Sequence, residues 1–292
     1  LFVFPVLNLR NPPLTRALLM YRDRGLPEAR RAARAAGYQG AMFPWQSGSD
    51  GREESQQWHL NPRSGRWLPD PSARQHHIGI AVAFNVWQYY QVTGDLAFLG
   101  ECGAEMLVEI ARFFASLATY DSTRSRYVMR GVVGPDEFHS GYPEAPYDGI
   151  DNNAYTNVMA IWVILRAMEA LATLPDPDRT DLMHSLHLDA DELARWTDVT
   201  RRMFVPFHDG VLSQFEGYAD LAELDWDGYR ERYGNIQRLD RILEAEGDDV
   251  NRYRASKQAD VVMLFYVLSA DELRDLLGRA GYRFEPAAIP RT

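Results

Sequence analysis

Three long apolar segments most constrain how this chain can fold. Residues 78–93 read IGIAVAFNVWQYYQVT, and residues 96–119 and 154–174 are similarly rich in aliphatic and aromatic side chains. A helix that is apolar on most of its faces must be buried, so these segments predict helices in the interior of the protein. Further helices are predicted at 14–36, 189–204, 236–246, 257–268 and 270–280.

Proline and glycine residues refine the predicted helix boundaries. Pro27 divides the segment 14–36 into two helices, and Gly37 follows it as a C-cap. Strand-like patterns are few and short: LFVF at the start, 126–133 and 211–215.

Two long segments between the helices, 38–76 and 134–153, contain Gly, Pro, Trp, Asp and His with little periodicity. Loops of this length without secondary structure are unusual in a compact domain unless they are functional. We therefore expect antiparallel helix pairs with functional loops gathered at one end. Since no linker or low-complexity tract divides the chain, we expect residues 1–292 to form one domain.

Charge and cysteine content narrow the function classes. A net charge of −10 argues against binding to nucleic acid or to an anionic membrane surface, although a local basic pocket for phosphate stays open. Cys102 is the one cysteine, so an internal disulfide and a thiolate metal site are excluded, and the sequence has no HExxH motif. We expect no metal, no membrane span and a cytoplasmic location.

The first functional loop reads GYQGAMFPWQSGSDGREE, residues 37–54. Trp45 follows Pro44 and lies among glycines and hydrogen-bonding side chains. A sugar site needs an aromatic face for the apolar side of a pyranose and polar groups for its hydroxyls, so Trp45 is a candidate sugar-binding residue. The alternative is a core tryptophan in a structural loop beside a solvated cluster of charges.

The second functional loop, residues 130–157, contains the adjacent pair Asp136 and Glu137. An acid that protonates a leaving oxygen works best in a partly apolar environment, which Phe138, Tyr142 and Tyr147 could provide. Adjacent side chains usually point apart, so one carboxyl of the pair is expected to reach a substrate. The alternatives are that His139 is a structural residue and that Asp151, Asn152 and Asn153 form an N-cap run for the following helix, with Asp151 or Asn152 as the cap.

The third segment, SKQADVVML at 256–264, places Lys257 and Gln258 at the start of a predicted helix. A cation there opposes the helix dipole, so it needs a partner such as a sugar hydroxyl, a carboxylate or an anion. The alternative is an ordinary surface helix end.

Several stretches occur together and in a fixed order: GYQGAMFPWQSGSDGREE, HHIGIAVAFNVWQYYQVTGD, GAEMLVEIARFFAS, RGVVGPDEFH, DNNAYTNVMAIWV, QFEGY and KQADVVML. Together they resemble glycoside hydrolase family 65, the kojibiose, maltose, nigerose and trehalose phosphorylases and the acid trehalases. The resemblance implies an all-α fold, an (α/α)6 barrel with minor β segments, in agreement with the helix and loop pattern.

The resemblance also implies roles for individual residues. Glu137 in GPDEFH matches the proton donor of the family, and Lys257 and Gln258 in KQAD match residues that contact the glucose whose bond is cleaved. Trp45 resembles part of the same sugar subsite. Asp136 and His139 are expected to support the site.

The implied activity is inverting phosphorolysis of an α-linked glucose disaccharide of the kojibiose, maltose or trehalose type to β-glucose 1-phosphate. Its partners would be the disaccharide and inorganic phosphate as co-substrate, with no cofactor; a homodimer stays open. One alternative is a trehalase-like hydrolase, in which Glu216 or Glu54 would be the base at about 6.5–9.5 Å from the acid. The other is a noncatalytic sugar-binding remnant.

The resemblance further implies a catalytic domain that is truncated at both ends. The family's N-terminal β-sandwich, a Trp-Asp pair expected before Leu1 and a phosphate loop expected after Thr292 are absent from the sequence. We expect the chain alone to be inactive.

Overall fold

The computed structural model describes residues 3–283. Helices of different lengths are joined by irregular loops and short hairpins. The helices are α1 (Phe4–Arg10), α2 (Pro12–Arg24), α3 (Leu26–Ala35), α4 (His77–Thr93), α5 (Leu96–Phe98), α6 (Ala104–Leu117), α7 (Ala154–Thr173), α8 (Asp176–Ser185), α9 (Ala190–Arg202), α10 (Trp226–Tyr233), α11 (Leu239–Ala245), α12 (Asp260–Val267) and α13 (Ala270–Arg279). A π-helical turn at Leu99–Gly103 joins α5 to α6.

Strands are confined to small antiparallel hairpins in the described part of the chain. The three pairs are β1 (Trp58–Leu60) with β2 (Trp67–Pro69), β3 (Thr119–Asp121) with β4 (Arg126–Val128), and β5 (Phe207–His208) with β6 (Val211–Leu212). The predicted all-α class with minor β segments is therefore confirmed.

The core is centred on the predicted apolar helices. α6 and α7 share the largest contact of any pair of elements, and α4 packs against both of them. α9, α12 and α13 pack against α7 from other sides. Side chains at these contacts, such as Ile110, Phe114 and Ile161, are fully buried, which explains why the helices are apolar on most faces.

A second, smaller apolar cluster lies beneath the segment that carries α10 and α11. Its buried members are Phe138, Leu224, Tyr229, Leu239, Ile242, Leu243, Val250 and Ala255. Phe138 is the member that comes from the segment 130–157, so this cluster joins the second functional loop to α10 and α11.

By length and composition alone, α7 is long and apolar enough to cross a membrane, and its most apolar part is a window of 18 residues. Of that window, 67% is buried inside the protein, as is usual for a core helix.

Several local predictions are confirmed. α2 ends at Arg24 and α3 begins at Leu26, so the chain divides next to Pro27. Gly37 has a φ of +84° just after α3, and the amide of Tyr38 donates to the carbonyl of Ala33 at 2.8 Å. This is the left-handed helix ending that glycine permits.

Other local predictions are wrong. The expected strand at the start is helical from Phe4 onward, because Pro5 in the first turn is compatible with a helix; Leu1 and Phe2 lie outside the described residues. The predicted N-cap run at 151–153 does precede α7, but its cap is Asn153, whose side chain accepts from the amide of Thr156 at 2.9 Å, rather than Asp151 or Asn152. The sequence analysis did not predict α8 or α10.

Candidate active site

The loop of residues 131–149, here named the acid loop, is closed at its base by backbone hydrogen bonds. Val132 and Ile150 exchange two such bonds at 3.0 and 2.7 Å, and the amide of Gly149 donates to Ser140 at 2.8 Å. A Cβ at Gly149 would lie 2.3 Å from the carbonyl carbon of Gly131, so only glycine allows this closure.

Glu137 lies at the tip of a tight turn in the acid loop. Its φ is +64°, an uncommon value for a residue with a side chain, and its amide donates to the carbonyl of Gly134 at 3.3 Å. Such conformations cost free energy and persist where the surrounding structure imposes them, often at functional sites. The turn leaves the side chain of Glu137 29% exposed while Asp136 is almost fully buried. The prediction that adjacent carboxyls separate is confirmed.

Lys257 meets Glu137 across 120 residues of sequence. Its Nζ lies 2.6 Å from Oε2 of Glu137 in an ion pair. Lys257 and Gln258 were predicted in the first turn of a helix. Because α12 begins at Asp260, both residues lie instead in the loop before that helix. Of the partners considered for Lys257 from the sequence, a sugar hydroxyl, a carboxylate or an anion, the structure has a carboxylate.

Asp136 fixes the two segments against each other. Its Oδ1 accepts from the backbone amides of Lys257, at 2.6 Å, and Gln258, at 3.4 Å. The side-chain amide of Gln258 also donates to the carbonyl of Pro135. Together these contacts hold the backbone of Lys257 and Gln258 directly beside the turn that carries Glu137.

His139 supports Asp136 from behind. Its Nδ1 lies 2.7 Å from Oδ2 of Asp136, and its Nε2 donates to the carbonyl of Tyr253 at 3.0 Å. The ring is 1% exposed and packs against Phe215 and Tyr218. His139 is thus enclosed in the protein and has the supporting position expected for it.

Asp260 is a buried carboxyl that the sequence analysis did not single out. Burial raises its pKa well above the ordinary value, and the nearby charge of Asp136 raises the pKa further. Asn153 donates to Oδ2 of Asp260 at 2.6 Å, and a Cβ at Gly134 would lie 2.1 Å from that oxygen. No cation lies among the contacts of Asp260 in the described structure, so burial favours its protonated form over the carboxylate.

The described contacts of Trp45 are with His77 and Glu53, not with Glu137, Lys257 or Gln258. The ring is half-buried and contacts His77 edge to face with centroids 5.7 Å apart, and its backbone amide donates to Glu53 at 2.7 Å. Burial lowers the pKa of His77 to about 4, and this ring bonds to the carbonyl of Val133 at the start of the acid loop. The structure thus brings Glu137, Lys257 and Gln258 together, whereas Trp45 reaches the acid loop through His77.

Neither of the two carboxylates considered as a hydrolytic base has a described contact with Glu137, Lys257 or Gln258. Burial alone would raise the pKa of Glu216, but hydrogen bonds from Arg124 at 2.6 Å and Asn152 at 2.7 Å lower it overall. Glu54 is exposed in the loop that carries Trp45. No described contact joins either residue to Glu137.

Two open spaces flank the Lys257–Glu137 ion pair. A groove of about 830 Å³ borders Lys257 and is lined by Phe138, Trp226 and Arg238, among others. A polar cavity of about 110 Å³ borders Glu137 and reaches the β1–β2 hairpin at His59. Arg238, which sequence patterns did not mark, is close enough to Glu137 to interact with its charge, although its guanidinium is bonded to Asp240.

Comparison with known proteins identifies the fold and family. Residues 1–291 match the model of the glycosyl hydrolase family 65 central catalytic domain. A solved structure of a candidate kojibiose phosphorylase from the human microbiome superimposes with a TM-score of 0.72 at 23% identity, over 99% of this chain and 35% of that one. The predicted helical barrel fold of the family is therefore confirmed.

Relatives in sequence agree with this match. An uncharacterized glycosyl hydrolase of Mycobacterium tuberculosis is 70% identical over 100% of this chain and 22% of its own length. The trehalose 6-phosphate phosphorylase of Lactococcus lactis is 35% identical, over 97% of this chain and 35% of the relative. A kojibiose phosphorylase of Halothermothrix orenii is 33% identical, over 99% and 36% respectively.

The chain therefore spans about a third of the length of these phosphorylases and about a fifth of the mycobacterial relative. Since the family model covers nearly all of its residues, the chain belongs to glycosyl hydrolase family 65 and corresponds to the central catalytic domain of that family.

Proposed function

We propose that this chain forms the catalytic centre of an inverting phosphorylase, which cleaves an α-linked glucose disaccharide into β-glucose 1-phosphate and a free sugar. The observation that carries this proposal is the pairing of Glu137 with Lys257, with both backbones held by the buried carboxylate of Asp136. The pairing supports the proposal because the residue proposed as proton donor and the residue proposed to bind the sugar lie within one hydrogen bond of each other.

In the proposed reaction, Glu137 donates its proton to the glycosidic oxygen while the bond from that oxygen to the anomeric carbon breaks. An oxygen of inorganic phosphate forms the new bond to the anomeric carbon from the opposite face, which inverts its configuration. Lys257 and Gln258 hold the hydroxyls of the glucose. A positioned acid of this kind contributes about 10²–10⁴-fold to the rate.

Phosphate is favoured over water because a hydrolase of this type needs a second carboxylate as base. Glu216 is engaged by Arg124 and Asn152, and Glu54 lies in the exposed loop of Trp45. The relatives named above support the same choice, since those with a stated activity are phosphorylases of trehalose 6-phosphate and kojibiose. Kojibiose, maltose and trehalose are therefore the first substrates to test.

The test is product analysis of the full-length protein with these disaccharides, with and without phosphate. We expect β-glucose 1-phosphate to form only when phosphate is present, and Glu137→Gln to form none. Release of free glucose without phosphate would identify a hydrolase instead. Sugar binding without turnover under both conditions would identify a noncatalytic sugar-binding protein.

A further inference from the structure

The ion pair between Lys257 and Glu137 conflicts with the role of Glu137 as an acid. Oε2 of Glu137 lies 2.6 Å from the Lys257 ammonium, which is the geometry of a carboxylate bound to a cation. A carboxylate in that state has no proton to donate. The ion pair must therefore open, and Glu137 must gain a proton, before the glycosidic bond can be cleaved.

The backbone of Lys257 is fixed while its side chain is not. Its amide donates to Asp136 at 2.6 Å, and Asp136 is in turn held by the buried ring of His139. The side chain of Lys257 is 41% exposed and ends beside the groove of about 830 Å³. Its ammonium can consequently move between Glu137 and a ligand without any movement of the loop.

Opening this contact costs little. Exposed ion pairs contribute little to stability because water screens both charges and because holding two flexible side chains together costs entropy. A sugar hydroxyl that accepts a hydrogen bond from the ammonium offers an equivalent partner. A ligand at Lys257 can thus displace the carboxylate.

We propose that the Lys257–Glu137 ion pair is the resting state of the site, and that binding of glucose transfers Lys257 to a sugar hydroxyl and lets Glu137 take up a proton from solvent. This inference rests on the proposed function, in which Glu137 is the acid and Lys257 binds the sugar. The proton balance is simple: the proton enters with the sugar and later leaves on the departing oxygen. The acid is thereby protonated only when a sugar occupies the site.

Other charged groups near Glu137 do not replace Lys257 in this role. Arg238 is bonded to Asp240, and Asp260 is buried without a cation among its described contacts. The charged and titratable groups that face Glu137 directly or across the polar cavity are Lys257, Arg238, Arg241, His59, Tyr147, Asp136, Asp240, Asp260, Glu244, Asp248 and Asp249.

The experiment is calorimetric titration of the full-length protein with D-glucose at neutral pH, in two buffers whose ionisation enthalpies differ. The buffer dependence of the heat gives the number of protons taken up per glucose bound. The bound sugar removes the cation and also covers the carboxyl from water, and both changes disfavour its ionised form. We therefore expect net uptake, of up to about one proton, by the wild type. Lys257→Met, which has no cation to transfer, and Glu137→Gln, which has no carboxylate to protonate, should both show almost none.

Gln258→Ala is the matched control, because Gln258 lies in the same anchored loop and carries no charge. It should bind glucose more weakly and still take up the same number of protons per bound glucose. Binding by the wild type without proton uptake would overturn the proposal, as would undiminished uptake by Lys257→Met. Activity of Glu137→Gln tests the proposed function separately, so the two failures are distinguishable.

Discussion

Nδ1 of His139 lies 2.7 Å from Oδ2 of Asp136, and their side chains are 1% and 5% exposed. The other carboxylate oxygen of Asp136 binds the amides of Lys257 and Gln258. A single buried carboxylate therefore connects the acid loop to the loop before α12, and it sets the distance between the proposed acid and the proposed sugar-binding residues.

Replacing this carboxylate should affect both stability and activity. Asp136→Ala removes the partner of Nδ1 of His139, which is buried, and the partner of the amide of Lys257. Breaking such a buried pair should lower the free energy of unfolding by about 3–5 kcal/mol. Urea denaturation measures this loss. Asp240→Ala, which removes a carboxylate from an exposed ion pair with Arg238, is the control and should cost far less. Equal losses for both variants would contradict the anchoring role.

Glu137→Gln should abolish phosphorolysis of a natural disaccharide while the fold is retained. The amide has the shape of the carboxyl but donates no proton, so the rate should fall by about 10²–10⁴-fold. The measurement is phosphate-dependent turnover. Turnover of a substrate with an activated aryl leaving group should fall less in this variant, since such a leaving group needs little protonation. Near-normal turnover of the disaccharide would show that another residue is the acid.

Trp45→Ala should weaken sugar binding more than folding. Loss of an aromatic face at a sugar site should cost about 1–3 kcal/mol, by analogy with burial of an apolar side chain. Trp58→Ala is the matched control, because Trp58 is 55% exposed on the β1–β2 hairpin. Glucose affinity and urea denaturation of both variants separate the effects. Broad unfolding of Trp45→Ala with unchanged affinity would identify Trp45 as a core residue.

Asp260→Asn should reduce the pH dependence of stability. Burial raises the pKa of Asp260 in the folded protein, so between the ordinary value of about 3.9 and that raised value the folded state binds more protons than the unfolded state. The contribution of Asp260 to stability therefore falls as pH rises through this window, and an amide abolishes that fall. Denaturation at several pH values above about 4 measures it.

The matched control for this experiment is Asp271→Asn, whose side chain is 85% exposed. This variant should show the same decline in stability with pH as the wild type. A decline in Asp260→Asn as steep as that of the wild type would show that Asp260 is ionised in the folded protein.

The sequence predicted those features that depend on composition over many residues. The buried helices α4, α6 and α7 follow from segments that are apolar on most faces, and these three form the centre of the core. The site residues were proposed from motifs, and their roles stay predictions. Features set by one or two residues were harder to predict. Asn153 rather than its neighbours caps α7, and Pro5 lies in the first turn of a helix where a strand was expected.

Contacts distant in sequence could not be predicted from local patterns. The hydrogen bond from the amide of Lys257 to Asp136 joins residues 121 positions apart, and the local pattern of apolar and polar residues contains no information about such a pairing. The burial of Asp260 likewise depends on how α12 packs against α7. Arg238 lacked any sequence signal, because its closeness to Glu137 arises only from the path of the chain around α11.

Phe138 follows Glu137 in the chain and is buried in the apolar cluster formed with α10 and α11. These helices also line the groove beside Lys257 through Trp226 and Leu239. A change in the size or packing of α10 and α11 therefore moves the residue next to the acid. An engineer who exchanges this segment to change what the groove admits must redesign Phe138 with it, since the wall of the groove and the support of the proposed proton donor are packed as one unit.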